Sequence, residues 1–441
     1  MKRLLSLLLC AVLALFCATT AQAAGVSITL TASEYALHYA FDAGAQDPFV
    51  ILEYATPAEK GWMMLYSEDG HFEGDVSIAY SGAGGKTSVA LTSARTTGSI
   101  GKTSTTLPKA ADYQKPTGKS NAKVTDFVLT ETPEGFHYAF NAAGTDYMLL
   151  YWRSKEQTVT QPVYPDENGH YEGDVISDLT FARTQFTVQV KSGAGSMKKE
   201  ATVRKGYQAP EAPQRQEGRL SGVTVCIDAG HQENGRFVNE PIGPGLSGST
   251  SGKGGMAQGT KTNRRESIVC LEIGMLLRDE LLRQGANVVM TREDQTTFHT
   301  NIERCEIAEA GGAQIMLRLH CNNSSNRSKR GIQVYGPLNS DYAKAVADAD
   351  TYREMGQKLL DAMKTRVGMT LANSTGMVRL NDNYVGNNWA KMMCFLVEMG
   401  YLSNPAEEYL LVTPVYQQWL AEGMADGVYE IAVARGWVQA Q

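Results

Sequence analysis

Two patterns of apolar residues divide this chain. In the first half, runs such as VSITLTA (26–32), KVTDFVLT (123–130) and FTVQVKS (186–192) alternate apolar and polar positions, broken by Gly, Asn, Asp and Pro. That period of two belongs to strands with one buried face. From Leu220 onward the runs are shorter and more continuously apolar: VTVCI, ANVVMTR, AQIMLRLH, GIQVYG and CFLVEMG. Between them lie stretches with helical spacing, near Arg265–Gln284, Asn301–Ala310, Ser340–Thr365 and Val415–Ala434. In the first of these, Ile268, Leu271, Leu276 and Leu282 help form an apolar stripe. Alternating strands and helices predict an α/β domain with a mostly parallel sheet flanked by helices. In such sheets, sites form beyond the carboxyl ends of the strands.

The β half repeats itself. LHYAFDAG (37–44) returns as FHYAFNAA (136–143), and DGHFEGDV (69–76) as NGHYEGDV (168–175). His38 to His137 and His71 to His170 are both 99 residues apart, so the two matches share one register. We expect two tandem all-β, sandwich-like domains, at 24–106 and 123–206. Segments 107–122 and 207–219 read as linkers, and 220–437 as the α/β domain. The recurring histidines read as strand-pairing and turn residues, with no second metal ligand noted at a useful spacing.

Residues 1–23 form a separate element: Lys2 and Arg3, the apolar run LLSLLLCAVLALF, then Ala-Gln-Ala. This is the pattern of a secretory signal, too short to span a bilayer comfortably, with cleavage expected near Ala23. Neither Cys10 nor Cys17 has the preceding small residues of a lipid-attachment signal. The expectation is a secreted, extracellular protein with no membrane span after cleavage. Loss of Lys2 and Arg3 takes the formal charge from −6 to −8, which gives no general attraction to nucleic acid. Five cysteines then remain, all on apolar stretches of the second half. An odd count there reads as buried small hydrophobes rather than a disulfide framework.

The chemistry gathers at strand ends. His231 follows the first α/β strand, His320 ends the third, Glu398 ends the last, and Glu266 opens a helix after a Gly-rich loop. Two imidazoles and a carboxylate form the protein half of a catalytic zinc site, and a second carboxylate can serve as general base. Each residue also has an ordinary structural reading, a strand-end polar group or a first-turn acid. The coincidence of all four favours the site.

Residues 221–437 resemble the zinc-dependent N-acetylmuramoyl-L-alanine amidases, the cell-wall amidase family of bacterial autolysins. The resemblance rests on IDAGH, Glu266 before a long helix, VVMTR, IERCEIAEAGGAQ, LHCN and LVEMGYLSN, in order through the second half. It implies His231, Glu266 and His320 as ligands of Zn2+, Glu398 as catalytic base and peptidoglycan as substrate. Glu272 is the nearest rival to Glu266. Asp228 and Asn322 flank the histidines and could orient them. Asn388 and Trp389, in the loop 380–390, are expected to line the peptide cleft, as is Asn322. Two other readings stay open: a zinc peptidase acting on stem peptides, and a wall-binding module with a degenerate hydrolase. The β repeats are expected to attach the protein to the wall or to act as spacers.

Overall fold

A computed structural model describes Thr19–Ala21 and residues 26–440, apart from 33–35, 58–59, 79–83, 110–122, 133–134, 144–147, 154–157, 164, 177–183, 193–196, 206–209, 233–237, 251–254 and 368–376. Most of the expected signal segment and of the first linker therefore lies outside the described residues. The chain forms two compact units, Met1–Gly206 and Tyr207–Gln441.

The first unit holds both β repeats. In repeat 1, β1 (Thr19–Ala21), β2 (Ile28–Ala32), β3 (Ala36–Asp42) and β6 (His71–Ser77) form one antiparallel sheet in the order β1-β2-β3-β6. A second antiparallel sheet joins β4 (Phe49–Ala55), β5 (Lys60–Tyr66), β7 (Gly85–Ser93) and β8 (Ser99–Leu107) in the order β5-β4-β7-β8. Leu30, Leu37, Phe41, Val50, Leu52 and Leu91, drawn from both sheets, share one core. Repeat 2 follows the same plan. Strands β9 (Val124–Thr132), β10 (Gly135–Ala142) and β13 (His170–Ile176) face β11 (Met148–Arg153), β12 (Thr158–Val163), β14 (Thr184–Ser192) and β15 (Met197–Lys205) across a core that includes Phe136, Phe140, Trp152 and Phe186. The duplicated glycines of HFEGDV and HYEGDV have a packing reason. A Cβ at Gly74 would meet the Tyr39 hydroxyl at 2.9 Å, and one at Gly173 the Tyr138 hydroxyl at 2.8 Å.

In the second unit, β16 (Thr224–Ala229), β17 (Asn287–Met290), β18 (Ile315–Asn322) and β21 (Met393–Tyr401) run parallel in the order β17-β16-β18-β21. Beyond β21 the direction reverses: β19 (Gln333–Gly336) pairs antiparallel with β21, and β20 (Met377–Leu380) parallel with β19. The sheet is thus mixed, with a parallel four-stranded part that carries the site.

Helix α1 (Glu266–Arg283) covers one face, where Gly274 approaches Ile227, Ala229 and Leu319. The alternate residues Cys226, Met316 and Cys394 face the other way and pack with Cys305 and Ala308 of α2 (Asn301–Ala310). Burial on both faces explains why these strands read as continuous apolar runs. The stretch read as one helix at 340–365 is two, α3 (Asp341–Val346) and α4 (Ala349–Val367). Asp348 accepts the Thr351 N–H at 2.7 Å and starts the second afresh. Short α5 (Val385–Trp389) and α6 (Glu407–Leu410) precede the C-terminal helix α7 (Pro414–Ala434), which packs on α1 and α4.

The described end of the expected second linker, 210–219, is tied to this unit. Gln216 N donates to Leu282 O at 3.0 Å, and Arg215 Nη1 to Gly285 O at 2.8 Å. All five cysteines of the unit are free and buried. No described helix is long and apolar enough to cross a membrane.

Candidate active site

The site is built at the carboxyl end of the parallel strands. As β16 ends, Gly230 N donates to Leu319 O at 2.9 Å, which brings the chain against β18. Only glycine permits that approach. A Cβ there would lie 2.4 Å from Leu319 O and 2.7 Å from the His320 ring. His231 then takes a left-handed backbone, φ 57°, a conformation with a cost for any residue bearing a Cβ.

Arginines hold this turn in place. Arg292 donates to Ala229 O (2.7 Å), Gly230 O (2.8 Å) and Ser267 O (2.7 Å). Arg304 donates to Ala229 O at 2.9 Å and His231 O at 3.2 Å. Beneath them Asp228 is fully buried and bridges Arg304 and Arg318, with Thr291 Oγ1 donating to it at 2.7 Å. Burial would push the Asp228 carboxyl up, but the two guanidiniums hold it well below the ordinary carboxylate range.

Glu266 enters from the first residue of α1. Its Oε2 accepts from Ala257 N at 2.7 Å and its Oε1 from Cys321 N at 3.0 Å, so the carboxylate is fixed by backbone on both sides. The same Oε1 stands 3.1 Å from His231 Nε2 and 2.9 Å from His320 Nδ1. Burial acts to raise this carboxyl, yet the two imidazoles hold it well below its usual value. Burial in turn lowers His320, disfavouring the charged form of its imidazole. The rings are nearly perpendicular, 80°, with centroids 4.9 Å apart. Donor atoms of His231, Glu266 and His320 all lie within 4.8 Å of one another, the sole such group of three among the described residues.

Glu398 pairs in register with His320 across β18 and β21, where a bulge follows. Its Oε2 is buried without a hydrogen-bond partner. Burial, and then the neighbouring Glu266, push its carboxyl up to about 8. An unpartnered buried carboxyl oxygen beside a two-imidazole, one-carboxylate donor set suits a divalent cation and the solvent it would carry.

All four residues line one cleft of about 530 Å3, with Asn322, Asn301, Arg318 and Tyr384. Glu272 does not join them: it faces Arg264 and accepts from Gln417 Nε2 at 2.9 Å.

Three expectations change. Asp228 bonds the arginines that brace the strand end, not an imidazole. Asn388 is fully buried, with its Nδ2 donating to Ile242 O (3.1 Å) and Asp382 O (2.9 Å). Trp389 Nε1 donates to Pro241 O at 2.9 Å. Neither of these two lines the cleft; they anchor the 240s loop, because the segment read as an open loop is partly helix α5 and packs inward.

Glu240 is one residue the sequence did not single out. It accepts from the Asn301 and Ile302 N–H groups at 3.2 and 2.8 Å, capping α2 where it borders the cleft. An acid just before Pro-Ile-Gly-Pro-Gly gave no signal of that partner some sixty residues on.

A parallel-sheet edge with two imidazoles, a buried carboxylate ligand and a second, unpartnered carboxyl defines a candidate metallohydrolase. Residues 225–430 match the family described as N-acetylmuramoyl-L-alanine amidase, and this half of the chain is a domain of that family. It is 26% identical over 231 residues to the germination-specific N-acetylmuramoyl-L-alanine amidase of Bacillus subtilis, covering 49% of this chain and 83% of that protein. It is 27% identical over 218 residues to the probable cell wall amidase LytH of Staphylococcus aureus, covering 48% of this chain and 60% of that protein. Among solved structures it is similar to an N-acetylmuramoyl-L-alanine amidase from Clostridium difficile 630 (24% identity, TM-score 0.38, 48% of this chain and 96% of that one). Another is Ami1 of Mycobacterium smegmatis (17% identity, TM-score 0.42, 49% and 99%).

Proposed function

We propose that this protein is an exported, zinc-dependent peptidoglycan hydrolase that cleaves the amide between N-acetylmuramic acid and the L-alanine of the stem peptide. The observation that carries the reading is the His231–Glu266–His320 donor cluster beside the orphaned Glu398 oxygen. Zn2+ held by those three residues would supply a Lewis acid for the lactyl carbonyl and bring a water's pKa down to about 7.

The chain's own residues do the rest. Glu266, ionised and anchored by two backbone N–H groups, keeps the donors in place without needing to lose a proton. Burial disfavours the charged form of His320. A cation at the cluster favours the ionised form of Glu398, which then takes a proton from the attacking water. Glu398 next returns that proton to the departing L-alanine nitrogen, since an amide nitrogen leaves poorly unless protonated. The Asp228–Arg304–Arg292 network holds the His231 turn rigid through the cycle. Export is supported by the basic, apolar and small-residue succession at 1–23, and attachment of the wall would fall to the β repeats.

Product analysis on purified muropeptides, with and without chelator, tests this. New lactyl carboxylates on the glycan that vanish with chelator are expected. Cuts confined to the peptide, or activity indifferent to chelator, would overturn it. Glu398→Gln should lower the rate by about 10²–10⁴ with metal content unchanged.

A further inference from the structure

The outer faces of the β repeats carry a second kind of histidine cluster, present twice. In repeat 1 the register sets His38 opposite Asp75, Ala40 opposite Glu73 and Asp42 opposite His71. The strand period puts all of these on the solvent face, away from Leu37, Tyr39 and Phe41. His38 Nδ1 stands 3.1 Å from Asp75 Oδ1, and His71 Nδ1 2.7 Å from Asp42 Oδ1. Both free Nε2 atoms turn to one carboxylate: His38 to Glu73 Oε1 at 3.5 Å, His71 to Glu73 Oε2 at 3.6 Å.

Repeat 2 reproduces the arrangement. His137 Nδ1 lies 2.9 Å from Asp174 and His170 Nδ1 2.7 Å from Asn141, while their Nε2 atoms face Glu172 at 3.2 and 3.7 Å. Asn141 in turn donates to Asp126 at 2.8 Å.

Stability of the fold does not account for this. The histidines and Glu73 and Glu172 are partly or largely exposed, and ion pairs in that setting contribute little. Metal chemistry does account for it. An imidazole whose Nδ1 is tied to an oxygen acceptor presents a fixed Nε2 lone pair, the usual arrangement of a metal-bound histidine. Three of the four Nε2-to-carboxylate separations, at 3.5, 3.6 and 3.7 Å, are long for hydrogen bonds, and the fourth is 3.2 Å. They are near the roughly 3.3 Å between neighbouring donors on a tetrahedral ion with bonds of about 2.0–2.1 Å, although the two imidazoles of each repeat face different oxygens of the glutamate. Ala40 and Ala139, both small, lie opposite the central glutamates.

We propose that each β repeat binds one divalent transition cation of the zinc type, through His38, His71 and Glu73 in repeat 1 and through His137, His170 and Glu172 in repeat 2. The three donors are not drawn together within 4.8 Å as those of the cleft are. Binding therefore turns the exposed glutamate to bring one oxygen to both imidazoles, and these sites are weaker than the cleft site. Repeat 1, with carboxylates on both Nδ1 atoms, is the tighter of the two.

The test is Zn2+ loading of the chelator-stripped full chain by equilibrium dialysis and elemental analysis, with Co2+ absorption as a second probe. About three equivalents are expected in the parent. His71→Ala and His170→Ala each lose one; the double variant keeps the cleft equivalent, which His320→Ala removes independently. If an alanine variant fails to fold, Glu73→Gln and Glu172→Gln replace it, with an expected loss of affinity of about tenfold or more. Loading of a single equivalent in the parent, or unaltered loading in the double variant, overturns the proposal. The His320→Ala arm reads the cleft separately, so failure of the catalytic assignment is distinguishable.

Discussion

Asp228→Asn tests how the His231 turn is held. The carboxylate is fully buried and is the shared partner of two guanidiniums, Arg304 and Arg318, each about nine-tenths or more buried. The substitution keeps the side chain's shape and an acceptor for Thr291, but leaves two buried cations facing each other uncompensated. Breaking a buried ion pair from one side costs about 3–5 kcal/mol, and the retained acceptor places this case near ~3. For a unit of this size that is a fall in Tm of roughly 6–12 °C. Calorimetry of the full chain, following the transition that responds to chelator, measures it.

The pH dependence adds a sign. The arginines hold the Asp228 carboxyl below its unfolded value, so its stabilisation is complete above the ordinary pKa of 3.8 and is lost as pH falls through the folded value. The gap between parent and variant should therefore be flat above pH ~4 and shrink below it. A loss under about 1 kcal/mol at neutral pH, or a gap that widens in acid, would show that the arginines find other partners and that Asp228 is not their organising charge.

Gly230→Ala drives a Cβ into Leu319 O and the His320 ring. It should cost about 1–3 kcal/mol and weaken Zn2+ binding, read by unfolding and by dialysis; parent-like affinity would contradict the close approach. His320→Ala leaves two ligands and should retain no metal in the cleft, so one full equivalent there by elemental analysis would contradict the assignment. Burial and Glu266 keep Glu398 protonated up to about pH 8 in the metal-free protein, whereas a cation favours its ionised form. Zn2+ binding at pH 7 should thus release about one more proton in the parent than in Glu398→Gln, the difference fading by pH ~9. Calorimetry in buffers of different ionisation enthalpy measures that difference, and none at pH 7 would sink it.

Much of the catalytic half was legible because it is built from long periodic elements. Helix α2 begins and ends where its spacing says, and Thr300 and Glu303 add the reciprocal cap expected of such a start. Residues at strand ends could be named because chain direction in a parallel sheet fixes which ends meet. What stayed hidden depends on pairing between distant residues. Nothing local to Asp228 tells that its partners are Arg304 and Arg318, or that Asn388 turns inward. Strand β20 and helix α5 have only four and five residues, too few for a period to emerge. The repeat histidines sit in paired strands, as their sequence suggests, and His71, Glu73 and Asp75 recur with the strand's own period and so share a face.

The five sulfhydryls sealed inside the second unit carry a consequence for how this protein must be made. Burial pushes each of them above the ordinary thiol range, so the folded chain offers oxidants almost no thiolate. The unfolded chain has no such protection, and an odd number of exposed sulfurs in an oxidising medium invites wrong crosslinks between molecules. Collapse of the α/β core has to outrun that chemistry, and renaturation yield should depend on reductant even though the finished molecule does not.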